Sequence, residues 1–229
     1  PLDMPTYDEA MNYVELLGGC VGLFKVGLEL FISQGPKILT SIRNVCDSGI
    51  FLDLKLHDIP VTVKRAFLAA CQHGPDFVTV HCDEGGESLK SAAGSNPGNT
   101  KILAITVLTS LDRFKLKELG YEDKFAEDIS VLALLKARIA KAAGCHGVVC
   151  SGHEVAMIKR ELGNEMIAVT PGIRPAWSAV SHDDQKRIVT PAKAVLSGAD
   201  YVVIGRPIRD AANPADAAKK VAEEIGAVL

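Results

Sequence analysis

Short apolar runs rich in β-branched residues recur along this chain, each followed by a longer stretch of helical periodicity. That alternation limits the possible folds more than any other feature. The strand candidates are Val21–Val26, Ile50–Leu56, Phe77–Cys82, Ile102–Leu108, Gly147–Cys150, Met166–Thr170 and Tyr201–Ile204. Leu2-Asp3 reads as the tail of an eighth strand, truncated at its front, and Pro1 is not a natural start. Helix candidates fill the gaps at Tyr7–Leu17, Leu28–Asn44, Pro60–His73, Glu87–Ala93, Ile129–Ala143, His153–Leu162, Pro191–Ser197 and Asp216–Val228. Val131, Leu134, Leu135, Ile139 and Ala142 recur at the spacing of an amphipathic helix packed on a sheet. Gly74, Gly144, Gly163 and Gly198 follow helix candidates where a C-cap belongs. Strict strand–helix alternation without a break in composition implies a parallel sheet. Eight repeats in 229 residues predict a single domain over residues 1–229, an α/β (β/α)8 TIM barrel. An open doubly wound sheet is the alternative, but no G-x-G-x-x-G or G-x-x-x-x-G-K-[ST] loop follows any strand.

Composition narrows the partners. Hydrophobic residues at 48% supply a sizeable core. A net charge of −3 and a pI near 6.1 argue against nucleic acid or a membrane surface as an electrostatic partner. No apolar run reaches the roughly 18 residues of a membrane span, and no signal-peptide pattern opens the chain. Cys20, Cys46, Cys71, Cys82, Cys145 and Cys150 form no CxxC and have no His pair at metal-ligand spacing. They read as free thiols of a cytoplasmic protein, with no metal site.

Charge is concentrated where an apolar strand should end. In Asp53-Leu54-Lys55-Leu56-His57-Asp58-Ile59-Pro60, period-two alternation puts Asp53 and Lys55 on one face and Leu52, Leu54 and Leu56 on the other. Burying ions costs several kcal/mol each unless they are paired, so a strand that accepts them is using them. Active sites of parallel barrels sit at the carboxyl ends of the strands. Reading those ends in turn yields Asp3, Lys25, the Asp53/Lys55/Asp58 group, His81, Thr109-Ser110, Pro171-Gly172-Ile173-Arg174 and Gly205-Arg206. Singly these are weak signals: a lone Lys or Asp at a strand end is more often a rim residue or a structural ion pair, and His81 reads as a structural hydrogen-bonding residue. Lys25, Asp53, Lys55 and Asp58 together read as functional. Gly205-Arg206 falls where this fold usually binds phosphate: glycine lets a backbone N–H approach an anion and arginine offers a planar fork of donors. The polar segment Pro175–Thr190, which includes His182-Asp183-Asp184-Gln185, reads as a lid or a surface excursion.

Taken together these pieces resemble the orotidine 5′-monophosphate decarboxylase family over essentially the whole chain. The motifs that carry the resemblance are Phe24-Lys25-Val26-Gly27, Asp53-x-Lys55-x-x-Asp58-Ile59-Pro60-x-Thr62, Thr106-Val107-Leu108-Thr109-Ser110, Thr170-Pro171-Gly172-Ile173-Arg174-Pro175, Asp184-Gln185 and Ile204-Gly205-Arg206-Pro207-Ile208. The D-x-K-x-x-D element alone is shared with sister sugar-phosphate decarboxylases and aldolases. The resemblance implies a cofactor-free lyase that turns orotidine 5′-monophosphate into uridine 5′-monophosphate and carbon dioxide in pyrimidine biosynthesis. It assigns Lys55 as proton donor to C6, Asp53 to a place against the substrate carboxylate, and Lys25 and Asp58 to a Lys-Asp-Lys-Asp network. Asp3 and Lys25 would hold ribose hydroxyls, and Thr109 and Ser110 would face the pyrimidine. Gln185, the Gly205 N–H and Arg206 would grip the phosphate, with Arg174 supporting the closed lid. Asp58, Ile59 and Thr62 would serve the neighbouring subunit's site, so a homodimer with shared active sites is expected. A metal-dependent sugar-phosphate enzyme of the same fold and a silent phosphate- or pyrimidine-binding protein are the rivals. The first needs a free carboxylate for a metal, and the second would be expected to have lost a charge from the network.

Overall fold

A computed structural model describes residues 1–178 and 185–229. Its strands are β1 (Leu23–Val26), β2 (Gly49–Leu56), β3 (Phe77–His81), β4 (Lys101–Ile105), β5 (Gly147–Val149), β6 (Ile167–Thr170) and β7 (Tyr201–Val202). They form one parallel sheet in sequence order. Each crossover carries helix, from Lys37–Val45 after β1 and Pro60–Cys71 after β2 to Pro191–Leu196 before β7, and Pro214–Gly226 closes the chain.

The sheet curls. Strands four apart in a flat sheet lie roughly 19 Å from each other, yet the rings of Phe77 on β3 and Tyr201 on β7 meet edge to face at 5.1 Å between centroids. Phe51 packs edge to face on Phe77 as well, at 6.0 Å. Period-two alternation explains this inner cluster. Phe51, Phe77, Leu103 and Val169 point inward with Leu23, Ile167 and Val203. Their neighbours Phe24, Leu52, Val78, Ile102, Val148 and Ala168 point outward and build the main core against the helices. The (β/α) barrel architecture is therefore as the alternation implies.

The eighth strand differs from expectation. Leu2-Asp3 is not part of the sheet, although the Leu2 N–H donates to the Lys25 carbonyl at 2.8 Å as a ladder neighbour of β1 would. An apolar cavity of about 340 Å³ opens beside it, lined by Leu2, Leu23, Phe51, Tyr201 and Val203 among others.

Helix boundaries follow local chemistry. The expected helix Leu28–Asn44 is two, Leu28–Gln34 and Lys37–Val45. Gly35 at φ 67° turns the chain, and Pro36 cannot continue the first helix's hydrogen bonding. Short helices at Arg113–Glu118, Asp123–Glu127 and Arg206–Arg209 were not legible, being too brief to show a period. Gly74, Gly144, Gly163 and Gly198 all have positive φ, as C-terminal glycines should. All six cysteines are free: Cys82, Cys145 and Cys150 are buried, and the others are partly exposed.

Candidate active site

The carboxyl ends of β1 and β2 and the segment after β4 enclose a cavity of about 230 Å³ whose polar lining is Lys25, Asp53, Lys55, Thr109, Ser110 and Gln185. It is smaller than the apolar cavity and shares Lys25 with it, but Asp53 and Lys55 line this one and not the larger. Lys55 Nζ donates to Asp53 Oδ2 at 2.8 Å, and Lys25 Nζ lies 3.6 Å from the same oxygen. Lys25 also reaches Asp3 Oδ1 at 3.2 Å, so two cations and two carboxylates alternate through one chain. Gly27 leaves the space this needs, since a methyl group there would come within 3.1 Å of Lys25 Nζ. Asp53 is only 8% exposed. Burial alone would raise its carboxyl. The Lys25 and Lys55 charges and the hydrogen bonds from Lys55 and Thr79 outweigh burial and hold it below the ordinary value.

Regular alternation fails at Lys55. Its φ is +50°, and the β2–β3 pairing shifts register between Leu52 and Leu56. A non-glycine residue in the left-handed region costs about 1–3 kcal/mol and persists where its surroundings hold it. Thr79 on β3 supplies that hold. Its Oγ1 accepts the Lys55 N–H at 2.8 Å and donates to Asp53 Oδ1 at 3.0 Å. Sequence reading passed over Thr79. The only sequence signal was its period-two place on the same strand face as Phe77 and His81; the structure buries it fully.

Asp58, Ile59, Thr62, Arg174, Gly205 and Arg206 are not among the residues that line this cavity. Asp58 is exposed, and its carboxylate accepts the Ile59 N–H at 2.7 Å rather than approaching the lysines. Ile59, 63% exposed, and Thr62 accompany it on the surface, just before and within the helix Pro60–Cys71. His81 Nδ1 lies 3.1 Å from Asp83 Oδ2, and its ring stacks on that of His57 at 5.0 Å between centroids. Thr109 Oγ1 donates to Gln185 Oε1 at 2.5 Å, which joins the loop after β4 to the start of the second described segment. Arg174 donates to the Ile173 carbonyl at 2.9 Å. Gly205 caps the short helix that Arg206 opens. His182, Asp183 and Asp184 lie outside the described residues. Among the described residues, no three His, Cys, Asp or Glu side chains group as metal ligands, and no helix is long and apolar enough to cross a membrane.

Fold and site together define a parallel-barrel enzyme whose polar chemistry sits at the carboxyl ends of its strands. The family described as orotidine 5′-phosphate decarboxylase / HUMPS matches residues 1–221, and the chain belongs to it. An orotidine 5′-phosphate decarboxylase of Desulfosudis oleivorans is 46% identical over 229 residues, covering 100% of this chain and 92% of that one. Its counterpart in Methylococcus capsulatus is 46% identical over 224 residues, covering 98% and 89%. The crystal structure of orotidine 5′-phosphate decarboxylase from Lactobacillus acidophilus superposes with a TM-score of 0.83 at 33% identity, covering 98% of this chain and 96% of that one. The family resemblance read from the motifs is borne out.

Proposed function

We propose that this protein decarboxylates orotidine 5′-monophosphate to uridine 5′-monophosphate, as a cytoplasmic lyase of pyrimidine biosynthesis built as one barrel over residues 1–229. The observation that carries this reading is the Lys25–Asp53–Lys55 chain of charges in the strand-end cavity. The family relatives with that activity in their names support it.

Breaking the C6–carboxylate bond leaves an electron pair in the ring plane, out of reach of the ring carbonyls. A fixed cation beside C6 is the device that stabilises it. Lys55 is that cation, and its Nζ proton passes to C6 as neutral carbon dioxide departs. Lys55 then regains a proton from solvent. Asp53 has two parts: it orients Lys55 through the 2.8 Å bond, and it sets a negative charge against the substrate carboxylate, which departure of carbon dioxide relieves. Its depressed carboxyl keeps it ionised for both. The chain's own charges serve the carbanion, so the reaction is read as cofactor-free.

Asp3 and Lys25 hold the ribose hydroxyls, and Thr109 and Ser110 face the pyrimidine. Gln185, the Gly205 N–H and Arg206 take the phosphate, with Arg174 behind them. Asp58, Ile59 and Thr62, exposed and not among the residues lining their own chain's cavity, serve the site of a second copy in a homodimer. Incubation with orotidine 5′-monophosphate tests the reading: its absorbance should fall while uridine 5′-monophosphate and carbon dioxide appear in equal amounts. Activity should survive a chelator, which separates this enzyme from a metal-dependent sugar-phosphate relative. Unchanged nucleotide would refute it.

A further inference from the structure

Beyond the charged chain in the cavity, a second buried ion pair reaches the cavity wall from behind. Glu154 is 1% exposed. Its Oε2 accepts the Ser151 N–H at 2.7 Å, and its Oε1 accepts from Arg187 Nη1. The other terminal nitrogen of Arg187, Nη2, donates to the carbonyls of Val107 at 2.9 Å and Leu108 at 3.3 Å. Val107 and Leu108 line the cavity directly before Thr109 and Ser110. One guanidinium thus ties the segment after β5, the segment after β4 and residues 185–189 together.

The neighbours of Arg187 reinforce the tie. Gln185 meets Thr109, the Lys186 N–H donates to the Thr109 carbonyl at 3.4 Å, and Lys186 Nζ pairs with Asp112. On the far side the Val189 N–H donates to the Gly172 carbonyl at 3.2 Å. Gly172 has φ +74°, and a methyl group there would come 2.8 Å from the Arg187 carbonyl oxygen. A buried pair is an expensive way to fill space, since apolar residues of similar volume are often as stabilising. Its use at this wall needs another reason. Burial pushes the Glu154 carboxyl up to about 7 even against the Arg187 charge and the Ser151 N–H, which both pull it down. The hydrogen-bond geometry makes the two residues one unit.

We propose that Arg187, held by Glu154, is a positioning residue for the reaction. It fixes the Thr109–Ser110 wall and Gln185 relative to each other without touching substrate. This rests on the reading of Thr109 and Ser110 as facing the pyrimidine and of Gln185 as a phosphate ligand.

Arg187→Lys keeps the charge but cannot span Glu154 and both carbonyls, and Glu154→Gln keeps the shape without the charge. Each is compared with wild type and with Gln185→Ala for kcat and KM on orotidine 5′-monophosphate and on orotidine, alongside thermal unfolding. Small displacements of positioned groups cost up to about a hundredfold. Arg187→Lys and Glu154→Gln should each lower kcat/KM for the nucleotide by roughly tenfold to a hundredfold and that for orotidine by less. In the Gln185→Ala background Arg187→Lys should cost clearly less, because its route to the phosphate is already lost. An equal cost in both backgrounds, native kcat/KM with only a lower unfolding temperature, or failure of both variants to fold would overturn the proposal. Gln185→Ala harming both substrates equally would sink the phosphate reading of Gln185 instead.

Discussion

Lys55 combines two features that can be measured apart, a side-chain ammonium against Asp53 and a backbone at φ +50°. Replacing it by alanine or by glycine removes the ammonium in both cases, but only glycine adopts the left-handed region without cost. Lys55→Gly should therefore be more stable than Lys55→Ala by about 1 kcal/mol. Equal stability, or alanine the more stable, would mean that the backbone there is unstrained. Asp53 makes a pH-dependent claim. Its folded carboxyl is depressed below the unfolded value, so the stability it contributes is present above about pH 4 and is lost as pH falls through the lower folded value. Asp53→Asn should lower the melting temperature at pH 7, where two lysines lose their shared anion. That deficit should shrink at pH 2–3, and a deficit constant across this range would contradict the assignment. Alternation of side chains made the Asp53–Lys55 pairing legible in sequence. The bulge that turns Lys55 was not, because it depends on Thr79 reaching over from the next strand.

At the scale of elements, strand positions were legible wherever apolar runs are bounded by glycine or charge, as in β2 and β3. The split of Leu28–Asn44 was announced by Gly35-Pro36 and overlooked, since the apolar positions on either side keep a helical spacing. The tie between residues 185–189 and the loop after β4 was beyond reach of sequence reading: Arg187 and Glu154 lie 33 positions apart with no shared motif. Strand ends carry the chemistry in this account, and each end has its own task. Arg206, at the end that follows β7, is assigned to the non-reacting phosphate. Arg206→Ala should weaken nucleotide affinity strongly and also lower turnover, because remote binding energy is used at the reacting carbon. Orotidine without its phosphate should be nearly indifferent to that change. Comparable losses on both substrates would make Arg206 a structural residue.

At the scale of the molecule, Asp58 poses the sharpest question. Lys25, Asp53 and Lys55 converge within one chain, whereas Asp58 faces outward beside the exposed Ile59. In a closed two-fold dimer each site would take Lys55 from one protomer and Asp58 from its partner. Inactive Lys55→Ala chains refolded with inactive Asp58→Ala chains should then recover activity. Half of the randomly formed dimers are hybrids with one intact site each, so recovery should approach roughly a quarter of wild type. Verified hybrids without activity would assign Asp58 to its own chain's site. The central claim is that Lys55 delivers the proton while groups elsewhere hold the nucleotide, and its most direct test is Lys55→Ala assayed for turnover and for nucleotide binding in the same preparation. Decarboxylation should vanish while binding remains measurable, and near-normal turnover in that variant would contradict the account.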